Sequence, residues 1–260
     1  MSLHDPAIKR IYARGSHSCY GMGLGIIILD EVYPGFPGDL RNASAYPFPI
    51  QYEIAEGVDI KQLVRGEDKA DLLEPVLAAA RKLERMGCRA IAAECGYFAW
   101  FQKEIAAAVD VPVFASSLLQ IPLAQMLIGP KRVVGVLVAS GRHLRDRHLT
   151  SVGVELDTNY VVHGAGDDGK TPQFTSLWNK DLRPEIPTAD YELAECDIVK
   201  VAQNFAAAHP NMGAMVLECT GFQPFGRAIQ REIGMPVFSW ATLLDYAYSV
   251  AVHRDFYGHV

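Results

Sequence analysis

Two cysteines in this chain sit in matched surroundings, and a matched pair of thiols suits one kind of chemistry. Cys95 follows the apolar stretch 89–94 and Cys219 follows 214–218, and each precedes a stretch of helical spacing. In parallel α/β proteins ligands bind at the C-terminal ends of the strands. A cysteine placed there faces the free N–H groups and the dipole of the next helix, which favour an anion. The thiolate is the reactive form, so this placement is expected to lower the thiol pKa. A thiolate on one face of a carbon acid removes a proton, and a thiol on the other face returns one. The carbanion between them needs donors aimed at its carbonyl or carboxylate. Gly96 lets backbone N–H groups approach a substrate oxygen closely, Thr220 adds a hydroxyl, and Gly221 completes the second turn.

The match is an internal repeat. With the chain displaced on itself by 124 positions, Ala90, Glu94, Cys95, Phe98, Phe101 and Ile105 meet Ala214, Glu218, Cys219, Phe222, Phe225 and Ile229. Pro112, Val113, Phe114 and Leu119 meet Pro236, Val237, Phe238 and Leu243, which makes ten identities over thirty positions. About two are expected by chance at ordinary composition. Two unrelated strand–helix units would share hydrophobicity, but not Glu-Cys followed at matched distances by Phe, Phe, Ile and Pro-Val-Phe. The chain therefore reads as two related α/β lobes.

The elements that must carry the cysteines follow from periodicity. Strands are expected at 25–29, 89–94, 111–114, 132–139, 160–163, 214–218 and 237–238. Helices are expected at 68–86, 98–109, 117–127, 142–152, 191–208, 224–233 and from 243 onward. Pro75 kinks the first helix or marks its true start, and Pro122 is tolerable in a first turn. The segments 33–42 and 164–187 read as loops. Alternating strands and helices mean parallel βαβ units, with helices on both faces of each sheet. The expected fold is α/β: two pseudo-symmetric Rossmann- or flavodoxin-like lobes with parallel sheets and an active site in the cleft between them. Residues 1–118 with 239–260 form the first lobe, and 119–238 the second.

Other residues are candidates by position. Pro37, Gly38, Arg41 and Asn42 lie in a loop past the first strand, and Arg41 suits a substrate carboxylate. Ser116 follows the first Pro-Val-Phe strand, Ser140 ends the strand at 132–139, and Tyr97 shapes the pocket beside Cys95. Glu94 and Glu218 adjoin the cysteines. Strand neighbours point to opposite faces, so they are read as orienting backbone or raising the thiol pKa, not as reacting. His163 reads as a core histidine, and 164–169 as a lid or a plain loop.

The chain has 260 residues, half of them hydrophobic, with a net charge of −6. That is an ordinary globular composition, and the acidic balance argues against a nucleic-acid partner. Residues 1–10 carry no apolar leader-like run, and no stretch is apolar enough for a membrane span. A cytoplasmic location is the default expectation. Five cysteines without C-x2-C spacing suggest neither a disulfide framework nor a zinc site. No G-x-G-x-x-G follows a strand and there is no P-loop, so no cofactor and no metal are expected.

The motifs Ala-Glu-Cys95-Gly and Leu-Glu-Cys219-Thr-Gly-Phe, on duplicated βα units, resemble the aspartate/glutamate/hydantoin racemase superfamily. The resemblance implies a two-lobed fold, a cleft active site, proton transfer by two cysteines without a cofactor, and a homo-oligomer, often a dimer. It departs from glutamate racemases, which resemble Cys-Asn-Thr at the first site and Gly-Cys-Thr-His at the second. The superfamily's decarboxylases typically keep only the second cysteine. The leading reading is a racemase or epimerase acting on a small carboxylate, amino acid or hydantoin-like substrate. The alternative is a lyase or isomerase of the same superfamily, whether dimethylsulfoniopropionate-lyase-like, maleate-isomerase-like or decarboxylase-like. A non-enzymatic small-molecule binding protein is the third.

Overall fold

The computed structural model describes residues 19–155, 157–179 and 185–256. The segment 1–10, read above for a leader, lies outside them. The elements run in chain order: β1 (Leu24–Leu29), β2 (Ile50–Ala55), α1 (Leu73–Arg85), β3 (Ala90–Ala93), α2 (Gln102–Ala108), β4 (Val113–Phe114) and α3 (Ile121–Ile128). Then follow β5 (Val133–Val138), α4 (Asp146–Ser151), β6 (Tyr160–Gly164), α5 (Pro172–Trp178), α6 (Tyr191–Ala208), β7 (Met212–Leu217), α7 (Gly226–Ile233), β8 (Val237–Phe238) and α8 (Trp240–Ala251). No helix among the described residues is long and apolar enough to cross a membrane.

These strands form two four-stranded sheets with the same order, β2-β1-β3-β4 and β6-β5-β7-β8, and every pairing is parallel. The central strands are apolar throughout because both faces are covered. One face of the first sheet packs Ile27, Leu29 and Ile91 against Val76, Ala80 and Leu83 of α1. Its other face packs Leu24, Ile26, Ala90 and Ala92 against Trp240, Leu243, Leu244 and Ala247 of α8. The second sheet is covered by α6 and α7 on one face, and by α3 and α4 on the other. Each lobe thus takes one helix from the far side of the repeat.

Several elements differ from the expectation. Helix α1 begins at Leu73 after a 3-10 turn at Ala70–Leu72, so Pro75 falls in its first turn, where its missing N–H costs nothing. The helices expected from 98, 117, 142 and 224 each begin with a 3-10 segment before the α-helix. Strand β2 was not anticipated; it pairs with β1 along its whole length. Helix α5 was expected as loop. Pro172 at its first turn and the Asp197 carboxylate accepting from the Gln173 N–H at 2.9 Å supply the start that propensity does not.

Candidate active site

The two cysteines occupy equivalent places. Glu94 N–H donates to Ile27 O and Glu218 N–H donates to Leu137 O, both at 2.9 Å, so each strand end is tied to its central neighbour in the same way. Cys95 and Cys219 are both extended and both start a six-residue 3-10 turn, Gly96–Phe101 and Thr220–Phe225. The backbone N–H of Tyr97 acts to lower the pKa of Cys95, and that of Gly221 acts in the same way on Cys219. Both thiols are free and buried. They are near enough that charge on Cys95 raises the pKa of Cys219.

The expected lowering of the thiol pKa is not what these surroundings produce. Burial, and then the neighbouring Glu218, push both thiols well above the usual range. Two N–H donors from 3-10 turns do not offset the loss of water around a buried sulfur. Lys69 pulls the other way on Cys95. Its ammonium donates to Gly66 O and lies 5.3 Å from the centre of the Trp100 ring.

A cavity of about 610 Å³ opens beside Cys95. Tyr97 and Ser140 line it with Cys95, and Phe174 adds an apolar wall. Lys61, Arg65, Arg142 and His143 bring positive or titratable groups, while Asp59 and Asp167 bring carboxylates. Tyr97 Oη donates to Ser140 O, and Ser140 Oγ donates to Asp167 Oδ1 at 2.8 Å. The segment 164–169, read as lid or loop, forms part of the wall: Asp167 accepts from Arg142 N–H at 3.1 Å. Cys219 is 2% exposed and is not among the residues lining this cavity.

The remaining candidates take other roles. Arg41 faces Glu94: Nε donates to Oε2 at 2.7 Å and Nη2 to Oε1 at 2.8 Å. It also donates to Leu29 O and Glu31 O, and its guanidinium lies 4.4 Å from the centre of the Tyr33 ring, so its donors are engaged within the protein. Asn42 accepts from Ser44 N–H and starts the turn Ala43–Ala45. Ser116, fully buried, accepts from Leu118 N–H and starts the turn before α3. Gly38, at φ +105°, lies against Pro224 of the other lobe, where a Cβ would sit 3.1 Å from Pro224 Cα; Pro37 beside it is exposed. Gly96 does not open the backbone to a ligand: a Cβ there would meet Glu218, with Cγ only 2.5 Å away. Thr220 is buried in the second turn. His163 stacks on Phe205 with ring centres 5.2 Å apart.

Sequence reasoning missed the ring of carboxyls and cations. Tyr33 Oη donates to Glu94 Oε1 at 3.3 Å, and burial, with Glu94 and Asp39 beside it, raises the Tyr33 pKa. Burial pushes Glu94 up to about 7, Glu218 to about 8 and Asp39 to about 6. Nothing in the local sequence of Tyr33, Asp39 or Lys69 signals these contacts; the Glu-Cys repeat does signal the two glutamates.

No family model matches the chain. It is 28% identical over 228 residues to a dimethylsulfoniopropionate lyase of Durusdinium sp. clade D, covering 86% of this chain and 73% of that protein. Dimethylsulfoniopropionate lyase 3 of Emiliania huxleyi is 28% identical over 223 residues, but the chain spans only 57% of that protein. Among solved structures, unliganded arylmalonate decarboxylase matches 90% of this chain with a TM-score of 0.54 and 16% identity, covering 94% of its own length. An aspartate racemase homologue from Pyrococcus horikoshii matches 88% of this chain and 98% of its own, with a TM-score of 0.52 and 16% identity. A glutamate racemase from Bacillus anthracis matches 88% of this chain and 80% of its own, with a TM-score of 0.55 and 15% identity. The chain has the two-lobed fold of these racemase and decarboxylase structures, in agreement with the superfamily that its Glu-Cys motifs resemble.

Proposed function

We propose that this chain is a lyase that removes the proton next to a carboxylate with the Cys95 thiolate and expels a leaving group from the adjacent carbon. Dimethylsulfoniopropionate is the substrate this reading favours. The observation that carries it is that Cys95, of the two thiols, lines the cavity. Elimination needs a base on one face of the carbon; inversion needs one on each. The curated relatives point the same way, since those named above are dimethylsulfoniopropionate lyases. The cavity's mixed charge suits a zwitterion, with Lys61 and Arg65 for the carboxylate and Asp59 for the sulfonium, while Arg142 and Asp167 pair with each other.

In this reaction the Cys95 thiolate takes a proton from the carbon beside the carboxylate. The C–H electron pair becomes the new C=C bond. The C–S bond breaks, and its pair leaves with neutral dimethyl sulfide, so acrylate remains and Cys95 holds the proton. Cys219 then serves as a buried neighbour that sets the charge of the site.

A specific observation favours racemisation as the second reading. Both Glu-Cys turns are retained, each starting a six-residue 3-10 turn, and a backbone N–H two residues on lowers the pKa of each thiol. The experiment is proton NMR in D2O with dimethylsulfoniopropionate and, separately, with a panel of chiral 2-substituted acids. Release of acrylate and dimethyl sulfide in equal amounts supports elimination. Deuterium uptake with inversion of a chiral acid, and no alkene, replaces it with the racemase reading. Binding of these ligands without any proton exchange leaves only the non-enzymatic reading.

A further inference from the structure

The two repeats carry the same glutamate before the cysteine, but not the same partner. Glu94 is met by Arg41 at both carboxylate oxygens. Glu218 Oε2 accepts from Ala139 N–H at 3.0 Å, while Oε1 is buried and has no hydrogen-bond partner among the described residues. The Ala139 N–H lowers the pKa of the Glu218 carboxyl, and burial outweighs it. The side chain is 1% exposed and crosses to the first lobe, where the bare Cα of Gly96 makes room for it directly beside Cys95. Trp240 Nε1 and Ser117 Oγ, each donating at 2.7 Å, hold the backbone carbonyls of Glu218 and Leu217 and so fix the strand end.

The groups facing this carboxyl are Cys95 and Tyr97 from the turn after β3, and Cys219 at the end of its own strand. Glu94 and Lys69 also act on Cys95, and Asp39 on Cys219. Glu218 and the two thiols thus share a buried space, with Lys69, Asp39 and the Arg41-paired Glu94 at its edge. Isolated charge in such a place is strongly disfavoured, and two negative charges more so.

We infer that Glu218 is a positioning residue: it competes with Cys95 and Cys219 for the single negative charge this buried cluster can hold, and thereby sets how much thiolate exists. The inference rests on the thiols being the reacting groups, and on nothing about which substrate they meet. The proton balance is simple. A thiol proton moves to the glutamate carboxylate, giving thiolate and a neutral carboxylic acid with no change in total charge.

That balance has a consequence in pH. The carboxyl, titrating at about 8, is the most acidic of the three groups. Below that pH all three hold protons, and thiolate grows about tenfold per pH unit. Above it the cluster carries one charge, and the states thiolate-with-acid and thiol-with-carboxylate differ by no proton. Their ratio is then independent of pH, so thiolate stops growing until a second ionisation.

The test is the rate of iodoacetamide alkylation of the full chain between about pH 6 and about pH 10, a window spanning the carboxyl and thiol titrations. Each cysteine is quantified separately by peptide mass spectrometry. The wild-type rate at Cys95 is expected to break to a plateau near pH 8, while Glu218→Gln continues to climb. One pH unit past the break the variant is about tenfold faster than wild type. Glu218→Asp, which keeps an acid but withdraws it by one methylene, moves the break without abolishing it. Superimposable wild-type and Gln profiles, or a break that persists in the Gln variant, overturn the inference. If circular dichroism shows that the variants do not fold, the wild-type profile decides alone, and a rise without a plateau is fatal. Because the readout is thiol chemistry and not turnover, this result is independent of whether elimination is the reaction.

Discussion

Arg41 and Glu94 are joined by two hydrogen bonds, Nε to Oε2 and Nη2 to Oε1, with side-chain exposures of 14% and 1%. The loop 33–42 is thereby pinned to the end of β3, one residue from Cys95. A carboxylate this deep, with no cation, would shed its charge or destabilise the fold. The planar guanidinium meets both oxygens at once and still reaches Leu29 O, which an ammonium on a lysine stem cannot do.

Arg41→Met is therefore expected to destabilise the protein by about 3–5 kcal/mol, the usual cost of leaving one partner of a buried pair alone. Arg41→Lys recovers little of it. Adding Glu94→Gln to Arg41→Met recovers part, because the stranded acid is gone. Urea denaturation of the four proteins measures this. Equal stability of wild type and Arg41→Met would show that the pair holds nothing in place.

The close approach of Gly96 and Glu218 makes a second prediction. Gly96→Ala places a methyl group 2.5 Å from Glu218 Cγ, so the glutamate or the strand end must move. A cost of about 1–3 kcal/mol is typical for overpacking of this kind. The effect belongs to the pair, so in a Glu218→Ala background the same substitution is expected to cost much less. A double-mutant cycle with additive effects would reject the contact as the cause.

The two lobes and the matched cysteine turns were legible because the repeat preserved residue identities that folding alone does not demand. Glu-Cys at 94–95 and 218–219, with Phe and Pro-Val-Phe at fixed distances, marks two strand ends and the turns after them. The partners of those turns were not legible. Arg41 reads as a ligand for an outside carboxylate because its partner Glu94 lies 53 residues away and shares no pattern with it. Lys69 falls within the stretch 68–86 expected as helix, where nothing in the sequence singles it out, yet it is 3% exposed and acts on Cys95. Strand β2 was missed because it borders the sheet, where Gln51, Tyr52 and Glu53 interrupt the apolar run. Local pattern records which face of an element is buried; it does not record which side chain from another loop closes the charge.

Buried carboxyls also shape stability against pH. The folded pKa of Glu218, about 8, lies above its ordinary value of 4.5, so the folded chain keeps a proton that the unfolded chain has lost. Stability from this group is complete below about 4.5 and declines as pH rises toward 8. The slope is about 1.4 kcal/mol per pH unit for one retained proton. Glu94 adds in the same direction up to about 7. His148, buried and held near 4, opposes them only below its ordinary 6.5. Between pH 6.5 and 8 the unfolding free energy of wild type should therefore fall, and that of Glu218→Gln should fall less steeply. Identical slopes in urea titrations across this window would show that Glu218 is ionised in the folded state.

The sharpest separation of the functional readings comes from replacing each cysteine by serine. A serine hydroxyl is too weak an acid to act as a base near neutral pH, so each variant removes one base and leaves most of the shape. If Cys95 is the base of an elimination, Cys95→Ser abolishes both acrylate release and deuterium exchange. Cys219→Ser then retains proton abstraction, changed only through the charge that Cys219 and Glu218 place on the shared cluster. A two-base racemase gives a different pattern. Each single variant loses inversion but still exchanges the enantiomer whose proton faces the surviving thiol, so the two variants show opposite preferences. Acrylate yield and exchange stereochemistry, measured together by NMR in D2O, distinguish these outcomes in one experiment. Full elimination activity in Cys95→Ser would remove Cys95 as the base and direct attention to Cys219 and to Tyr33, whose hydroxyl donates to Glu94.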